Sequence, residues 1–111
     1  MAARNVNLVL EQGVDFQATF SINNVYNNTP LNLVGYAGIS SIRKHPDSST
    51  AYPLTVKFTD RLRGKVQVSM GYSATSLIEG GRYVYDLVLI SPNSLRTRAV
   101  QGNVLVTPGV V

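Results

Sequence analysis

Alternation of apolar and polar side chains is the feature that most constrains the fold of this chain. The clearest case is the segment in which Phe16, Ala18, Phe20 and Ile22 alternate with polar residues. Successive side chains of a β-strand point to opposite faces, so a slip of one residue would expose both phenylalanines to solvent. The segment is therefore predicted to be a strand with one buried face.

Similar segments recur along the chain, separated by turn residues. They predict six further strands, at about residues 6–11, 36–44, 54–59, 66–70, 82–91 and 97–107. The strands on either side of the turn at residues 60–64 are predicted to form a β-hairpin. In the strand at 36–44, Ala37, Ile39 and Ile42 do not share one parity, which indicates either a bulge or a face of small residues.

Helical periodicity is confined to one short segment. Residues 73–79 predict a single helical turn, with Ser73 or Thr75 as the N-cap and Gly80 closing it. With 111 residues, the chain is long enough for one domain with its own core. Short strands separated by turns predict a single all-β domain over residues 1–111, built as a two-sheet sandwich.

A double glycine precedes the most apolar predicted strand. In immunoglobulin-like sandwiches, a tyrosine just after such a corner donates its hydroxyl to the backbone of the corner. The chain therefore predicts a structural corner made by Gly80, Gly81, Tyr83 and Tyr85. Asp86, on the opposite face, is predicted to pair with a nearby arginine such as Arg43.

The chain offers little for catalysis. It has no cysteine and one histidine, so neither a Ser-His-Asp nor a Cys-His arrangement is available. Glu11 and Asp15 are the only closely spaced acids, and they span a glycine break that is typical of a solvated turn. The double glycine lacks the surrounding pattern of a phosphate-binding loop. We expect no enzyme activity, cofactor or metal site.

Basic residues outnumber acidic residues by ten to six, which gives a net charge of +4. Arg61, Arg63 and Lys65 cluster around one turn. They are interpreted either as contacts to a partner or as solvated charges that protect exposed strands from aggregation. Nucleic acid stays a further alternative partner that no aromatic-rich binding signature supports, and it would require salt-sensitive binding through these basic residues. No apolar run is long enough for a membrane span, and synthesis in the cytoplasm is expected.

The order of several motifs resembles a known family. The opening strand ends at residues 11–13 (EQG), and residues 31–36 (LNLVGY) and 42–44 (IRK) follow it. Residues 80–87 (GGRYVYDL) and 100–108 (VQGNVLVTP) come later. Together they resemble the small immunoglobulin-like β-sandwich domain of tailed-bacteriophage structural proteins. The chain is similar to N-terminal domains of baseplate upper proteins and to short virion proteins of phages that infect cyanobacteria.

The resemblance implies a seven-stranded antiparallel immunoglobulin-like sandwich with at most one helical turn. It also implies a non-enzymatic virion protein associated with the tail or baseplate, whose partners are other virion proteins and copies of itself. A capsid decoration or neck protein is the alternative within this class. The apolar C-terminal segment and the basic cluster are the predicted partner contacts: Val104, Val106, Val110, Val111, Arg61, Arg63 and Lys65.

A second class of function stays open, namely a module that binds carbohydrate or a host surface. Tyr26, Tyr36, Tyr52 and Tyr72 lie in or beside predicted loops. Tyrosine rings at such positions can stack on sugars, although they more often pack against the domain itself.

Overall fold

The computed structural model describes residues 4–23 and 29–109 and shows an all-β chain. Within these ranges it contains two short helical turns, a 3₁₀ turn at Arg61–Arg63 and an α-helical turn, α1, at Tyr72–Thr75, so the expectation of at most one helical turn is wrong. Its eight strands are β1 (Arg4–Asn5), β2 (Leu8–Glu11), β3 (Phe16–Ser21), β4 (Ala37–Arg43), β5 (Ala51–Asp60), β6 (Lys65–Met70), β7 (Gly81–Ile90) and β8 (Arg96–Thr107). The all-β class predicted from alternation is confirmed.

The strands form two sheets that share β5. The first sheet has β1 and β2 at one edge, followed by β8, β7, β4 and residues 51–54 of β5. The second sheet consists of residues 55–60 of β5, followed by β6 and β3. The predicted hairpin of β5 and β6 is present. One continuous strand therefore joins the two layers.

The prediction of seven purely antiparallel strands is wrong. The strand predicted at residues 6–11 corresponds to β2, a further short strand, β1, precedes it, and both run parallel to β8. The reason lies in the segment after β2, residues 12–15, which carries the chain to the second sheet instead of turning back into a hairpin. Because β2 and β3 lie in different sheets, β2 takes its partner from the far end of the chain.

The break between β1 and β2 depends on Gly102. The amide of Val6 donates to the carbonyl oxygen of Gln101 at 2.9 Å, and the side-chain oxygen of Asn7 accepts from the amide of Asn103 at 3.1 Å. Between these two bonds, the carbonyl oxygen of Val6 lies 2.1 Å from the position that a Cβ on Gly102 would occupy. Only a residue without a side chain allows the first strand to approach so closely.

The inner faces of the two sheets pack against each other. The Phe20 ring of β3 stacks on the Tyr85 ring of β7, with 6.5 Å between centroids. A Cβ on Gly38 of β4 would lie 2.7 Å from a methyl carbon of Val56 in the second sheet. The irregular pattern of β4 is explained by this contact, because the buried face of the strand carries the small residues Gly38 and Ser40.

A register shift in β8 places consecutive residues in the core. The pairing of β7 with β8 shifts between Leu87 and Val88, and both Ala99 and Val100 are buried. After the shift, the even-numbered residues point inward, so Val104 and Val106 are each only 1% exposed. Their predicted role as partner contacts is therefore wrong, since an apolar run at a strand end serves the core here.

The loops gather at two ends of the domain, which measures 45 × 27 × 21 Å along its principal axes. We call one the corner end; it consists of residues 12–15, 44–50, 71–80 and 108–109. The other is the loop end, which consists of residues 22–23, 29–36, 61–64 and 91–95.

The helical turn at the corner end differs from its prediction. Its N-cap is Gly71 and its C-cap is Ser76, not Ser73 or Thr75 at the start and Gly80 at the close. Thr75 is fully buried, and its hydroxyl donates to the carbonyl oxygen of Val14 at 3.0 Å. The threonine joins α1 to the loop before β3 instead of capping the turn.

Candidate interaction surfaces

The predicted corner residues lie together at the start of β7. The Tyr83 hydroxyl donates to the carbonyl oxygen of Glu79 at 2.8 Å, which is the bond that a tyrosine corner requires. Gly81 has a φ of +147°, and a Cβ on Gly80 would lie 2.9 Å from the ring of Pro108. Both glycines thus allow a tight path into β7.

Both corner tyrosines are buried hydrogen-bond donors. Burial, with smaller contributions from Tyr52 and Glu79, raises the pKa of Tyr83. Burial raises the pKa of Tyr85 to about 12, although the charge of Arg4 partly offsets it. The Tyr85 hydroxyl donates to the carbonyl oxygen of Val6 at 2.6 Å. The two hydroxyls therefore stay protonated at neutral pH and connect β7 to its neighbours.

Asp86 does not pair with Arg43. Its carboxylate accepts from Arg98 at 3.0 Å, while the Arg43 guanidinium donates to the carbonyl oxygen of Ser48 in the loop after β4. Arg43 stands opposite Val84 in the register, whereas the side chain of Arg98 on β8 reaches Asp86. The prediction that Asp86 lies on the face opposite to the corner tyrosines is correct, but the predicted ion pair with Arg43 is wrong.

A groove of about 680 Å³ crosses the outer face of the first sheet. Most of the residues that line it have polar side chains, and the ion pair of Asp86 and Arg98 lies within it. Four of its lining residues carry carboxamides: Asn5, Asn7, Gln101 and Asn103. Carboxamides both donate and accept hydrogen bonds, so the groove suits a polar, hydroxyl-rich or peptide-like ligand.

Sequence reasoning missed this groove because its residues come from strands far apart in the chain. The available signal was a pair of carboxamide side chains two residues apart near the start of the chain, and a second such pair in the last strand. Those two strands had to be recognised as neighbours before the four amides could be grouped. The parallel pairing of the first strand with β8, which the sequence did not predict, brings them together.

A second surface lies at the free edge of the first sheet, and we call it the edge patch. It consists of Val9, Leu105 and Arg82, which are adjacent in the register across β2, β8 and β7. Val9 is 60% exposed and Leu105 is 44% exposed. Among the described strands, β2 pairs with β8 alone, so its other side is open.

Arg61 of the predicted basic cluster has structural contacts of its own. The Arg61 guanidinium donates to the carbonyl oxygens of Leu33 and Tyr36 at 2.9 and 2.8 Å, and it covers the Phe58 ring at 4.1 Å. Arg61 therefore holds the connection between β3 and β4, and its predicted role as a partner contact stays a prediction.

The other two members of the basic cluster contact polar side chains of neighbouring residues. Arg63 lies 3.6 Å from the carboxylate of Asp60, and its side chain is 76% exposed. The Lys65 ammonium group donates to the hydroxyl of Ser21 at 3.0 Å. They stay predicted contacts at the loop end.

The loop tyrosines are divided in the same way. The rings of Tyr52 and Tyr83 meet edge to face at 6.3 Å, and Tyr36 packs against the core. Tyr72 is 64% exposed. Tyr26, and the predicted contacts Val110 and Val111, lie outside the described residues. Only Tyr72 among the described tyrosines presents an open ring to a ligand.

Residues 4–23 and 29–109 contain no group of three or more His, Cys, Asp or Glu side chains placed to hold a metal ion. Within the same ranges, no helix has the length and apolarity to cross a membrane.

Comparison with known proteins returned structural neighbours alone. No family model and no curated protein matches the chain. An internalin-like protein of Listeria monocytogenes has 12% identity and a TM-score of 0.48; the match covers 96% of this chain and 28% of that protein. Murine CRIg has 9% identity and a TM-score of 0.43, with 93% of this chain and 92% of CRIg covered. At these identities, the activity of neither protein transfers to this chain.

Proposed function

We propose that the chain is a non-enzymatic structural component of a tailed-phage virion, associated with the tail or baseplate as an assembly or adaptor protein. The order of motifs from residues 11–13 to residues 100–108 supports this assignment through the family resemblance. The proposed partners are other virion proteins and further copies of the chain. It is made in the host cytoplasm and resides in the particle.

The strand arrangement supports an immunoglobulin-like domain within this proposal. One sheet contains β8, β7 and β4 with β2 beside β8, and the other contains β3, β6 and part of β5. Immunoglobulin-like domains divide their strands between two sheets in the same manner and carry a tyrosine corner before the penultimate strand. The bond from Tyr83 to Glu79 occupies that position.

The edge patch is the observation that carries the proposal. Val9 and Leu105 expose apolar surface directly beside an open strand edge. Natural sheets usually protect such edges with charges, prolines or a covering segment, because an open apolar edge pairs readily with another chain. A subunit of an assembly gains from such an edge, since the neighbouring subunit covers it.

The test is incorporation of variants into particles. A phage lacking its own copy of the gene is grown in cells that supply either the parent chain or a Val9→Lys, Leu105→Lys double variant. We expect the parent chain in purified particles and loss of the double variant. Thr55→Lys, an exposed change on the second sheet, is the matched control and should be incorporated normally. Absence of the parent chain from particles would overturn the proposal.

Labelling the incorporated parent chain in electron micrographs separates the two virion alternatives. Signal on the tail or baseplate supports the adaptor assignment. Signal on the capsid surface or neck would replace it with a decoration or neck protein, which is the alternative from the same resemblance.

A carbohydrate-binding module is the second candidate, and the amide-lined groove favours it. Carboxamides of Gln101 and Asn103 can hydrogen-bond sugar hydroxyls without needing an aromatic platform. Binding to a glycan array that is lost in Gln101→Ala but kept in Gln67→Ala, a change on the second sheet, would support it. Silence across the array would remove this candidate and leave the virion proposal untouched.

A further inference from the structure

The two ends of the domain each expose large apolar side chains. At the loop end, Val34, Leu62 and Leu95 are 57%, 68% and 65% exposed. They lie on neighbouring segments, because the Leu33 amide donates to the Arg61 carbonyl oxygen at 2.8 Å. A Cβ on Gly35 would lie 2.8 Å from the ring of Pro92, so the turn before β8 adjoins the same loop.

The corner end carries a second set of exposed apolar side chains. Val14, Tyr72 and Leu77 are 48%, 64% and 74% exposed. Asp15 accepts a hydrogen bond from the Tyr72 amide at 2.7 Å, and Val14 accepts from Thr75 at 3.0 Å. The loop before β3 and the α1 segment therefore form one surface.

The two ends also differ in charge. The loop end and its flanking strand residues hold four bases against one acid: Arg61, Arg63, Lys65 and Arg96 against Asp60. The corner end and its flanking residues hold four of the six acids against three bases: Glu11, Asp15, Asp47 and Glu79 against Arg43, Lys44 and Arg82. An excess of positive charge at one end thus faces away from an excess of negative charge at the other.

We propose that the loop end of one copy docks on the corner end of a second copy, so that the chains associate head to tail. Apolar side chains meet at the centre of this contact, and charges of opposite sign surround them. Two copies of the loop end would bring their bases together, which disfavours a symmetric dimer through that end. The contact is heterologous, and it builds rings or filaments.

The dimensions of the domain set the strength to expect. An end face of 27 by 21 Å covers about 570 Å², so a complete contact buries roughly 1,100 Å² from both copies. That area lies at the low end for specific interfaces. Association of the purified protein should be weak, concentration-dependent and reduced by salt, because screening weakens attraction between exposed charges.

The inference deepens the proposed function, on which it rests for its setting in a particle, but its test needs purified protein alone. Sedimentation measures the average mass of the parent chain over rising concentration at low and high salt. Leu95→Asp blocks the loop end and Leu77→Arg blocks the corner end, each with a charge that the opposing end repels. Both side chains are exposed, so the variants should fold, and thermal melting checks this.

We expect the parent chain to associate and each variant to stay monomeric at the same concentration. An equimolar mixture of the two variants should associate again, because one intact loop end and one intact corner end remain. Ile39→Asp, on the outer face of the first sheet, is the control and should associate like the parent chain.

Four results would overturn the proposal. These are a parent chain that stays monomeric, a single end variant that still associates, a mixture that does not associate, and loss of association in the Ile39 control. A monomeric chain that is nevertheless found in particles would refute head-to-tail docking and leave the proposed function intact. A chain that associates in solution but is absent from particles would refute the proposed function and leave head-to-tail docking intact.

Discussion

The Tyr83 hydroxyl offers the most direct test of how the corner stabilises the fold. Tyr83→Phe removes the 2.8 Å bond to the Glu79 carbonyl oxygen and keeps the ring, so contact with the Tyr52 ring persists. A net hydrogen bond contributes about 0.5–1.5 kcal/mol, and a carbonyl left unpaired adds to the loss. We expect the free energy of unfolding to fall by about 1–2 kcal/mol. For a domain of this size, that lowers Tm by roughly 4–8 °C.

Thermal and urea unfolding of the purified protein measure this loss. Tyr72→Phe is the matched control, since it deletes the same atom from a ring that is 64% exposed, and it should change stability by less than about 0.5 kcal/mol. A Tyr83→Phe protein that unfolds together with the control would refute the corner as a stabilising element. Loss of a partner's binding without loss of stability would also contradict the structural role.

Three further perturbations test other parts of the fold. The folded-state pKa of Tyr85 is raised from 10.0 to about 12. The protonated Tyr85 hydroxyl therefore contributes fully to the free energy of unfolding below pH 10, and this contribution is lost by about pH 12. The expected fall in the free energy of unfolding is about 3 kcal/mol. Urea unfolding between these two pH values should show a smaller fall in Tyr85→Phe than in the parent chain, and an equal fall would contradict burial of the Tyr85 hydroxyl. Gly102→Ala should lower the free energy of unfolding by about 1–3 kcal/mol, because the new Cβ clashes with Val6. Gly71→Ala is the control and should melt like the parent chain, since its Cβ would meet nothing within 4 Å. Equal melting temperatures of the two variants would exclude the close approach of Val6 to Gly102. Val104→Ala should lower the free energy of unfolding, measured by chemical denaturation, by about 2–3 kcal/mol. Unchanged stability would contradict burial of Val104.

The strands were predictable because each has one strongly buried face. Phe16 to Ile22 could not change register without exposing aromatic surface, and the predicted segment matches β3 closely. The corner was predictable for a related reason. The spacing between Glu79 and Tyr83 is local, so the partner of the hydroxyl is fixed by a few residues of chain.

Long-range choices were not available from the sequence. Whether β2 pairs with β3 or β8 depends on which sheet the chain enters after Gln12, and alternation looks the same in both cases. The same uncertainty hid the amide-lined groove, whose lining combines residues near both ends of the sequence with residues of β4 and β7. It also concealed the role of Arg61. An arginine in a turn is normally predicted to be solvated, and the carbonyl groups that Arg61 binds belong to a segment distant in the sequence.

Apolar residues near the C-terminus were misread for a further reason. Val104 and Val106 suggested an exposed contact segment, yet the register shift beside Ala99 determines which parity of β8 enters the core. Within the described part of this segment, Leu105, which lies between them, is exposed. A bulge whose position is set by pairing with β7 leaves no signal that alternation alone can detect.

Quantitative mass spectrometry of purified phage particles tests the central claim most directly. Under the proposed function, particles of the phage that encodes the chain are analysed, and the readout is the number of copies per particle relative to known tail and capsid proteins. A tail or baseplate component should be present at a low copy number that matches the rotational symmetry of the tail. Particles that are complete and infectious but contain none of this chain would contradict the account.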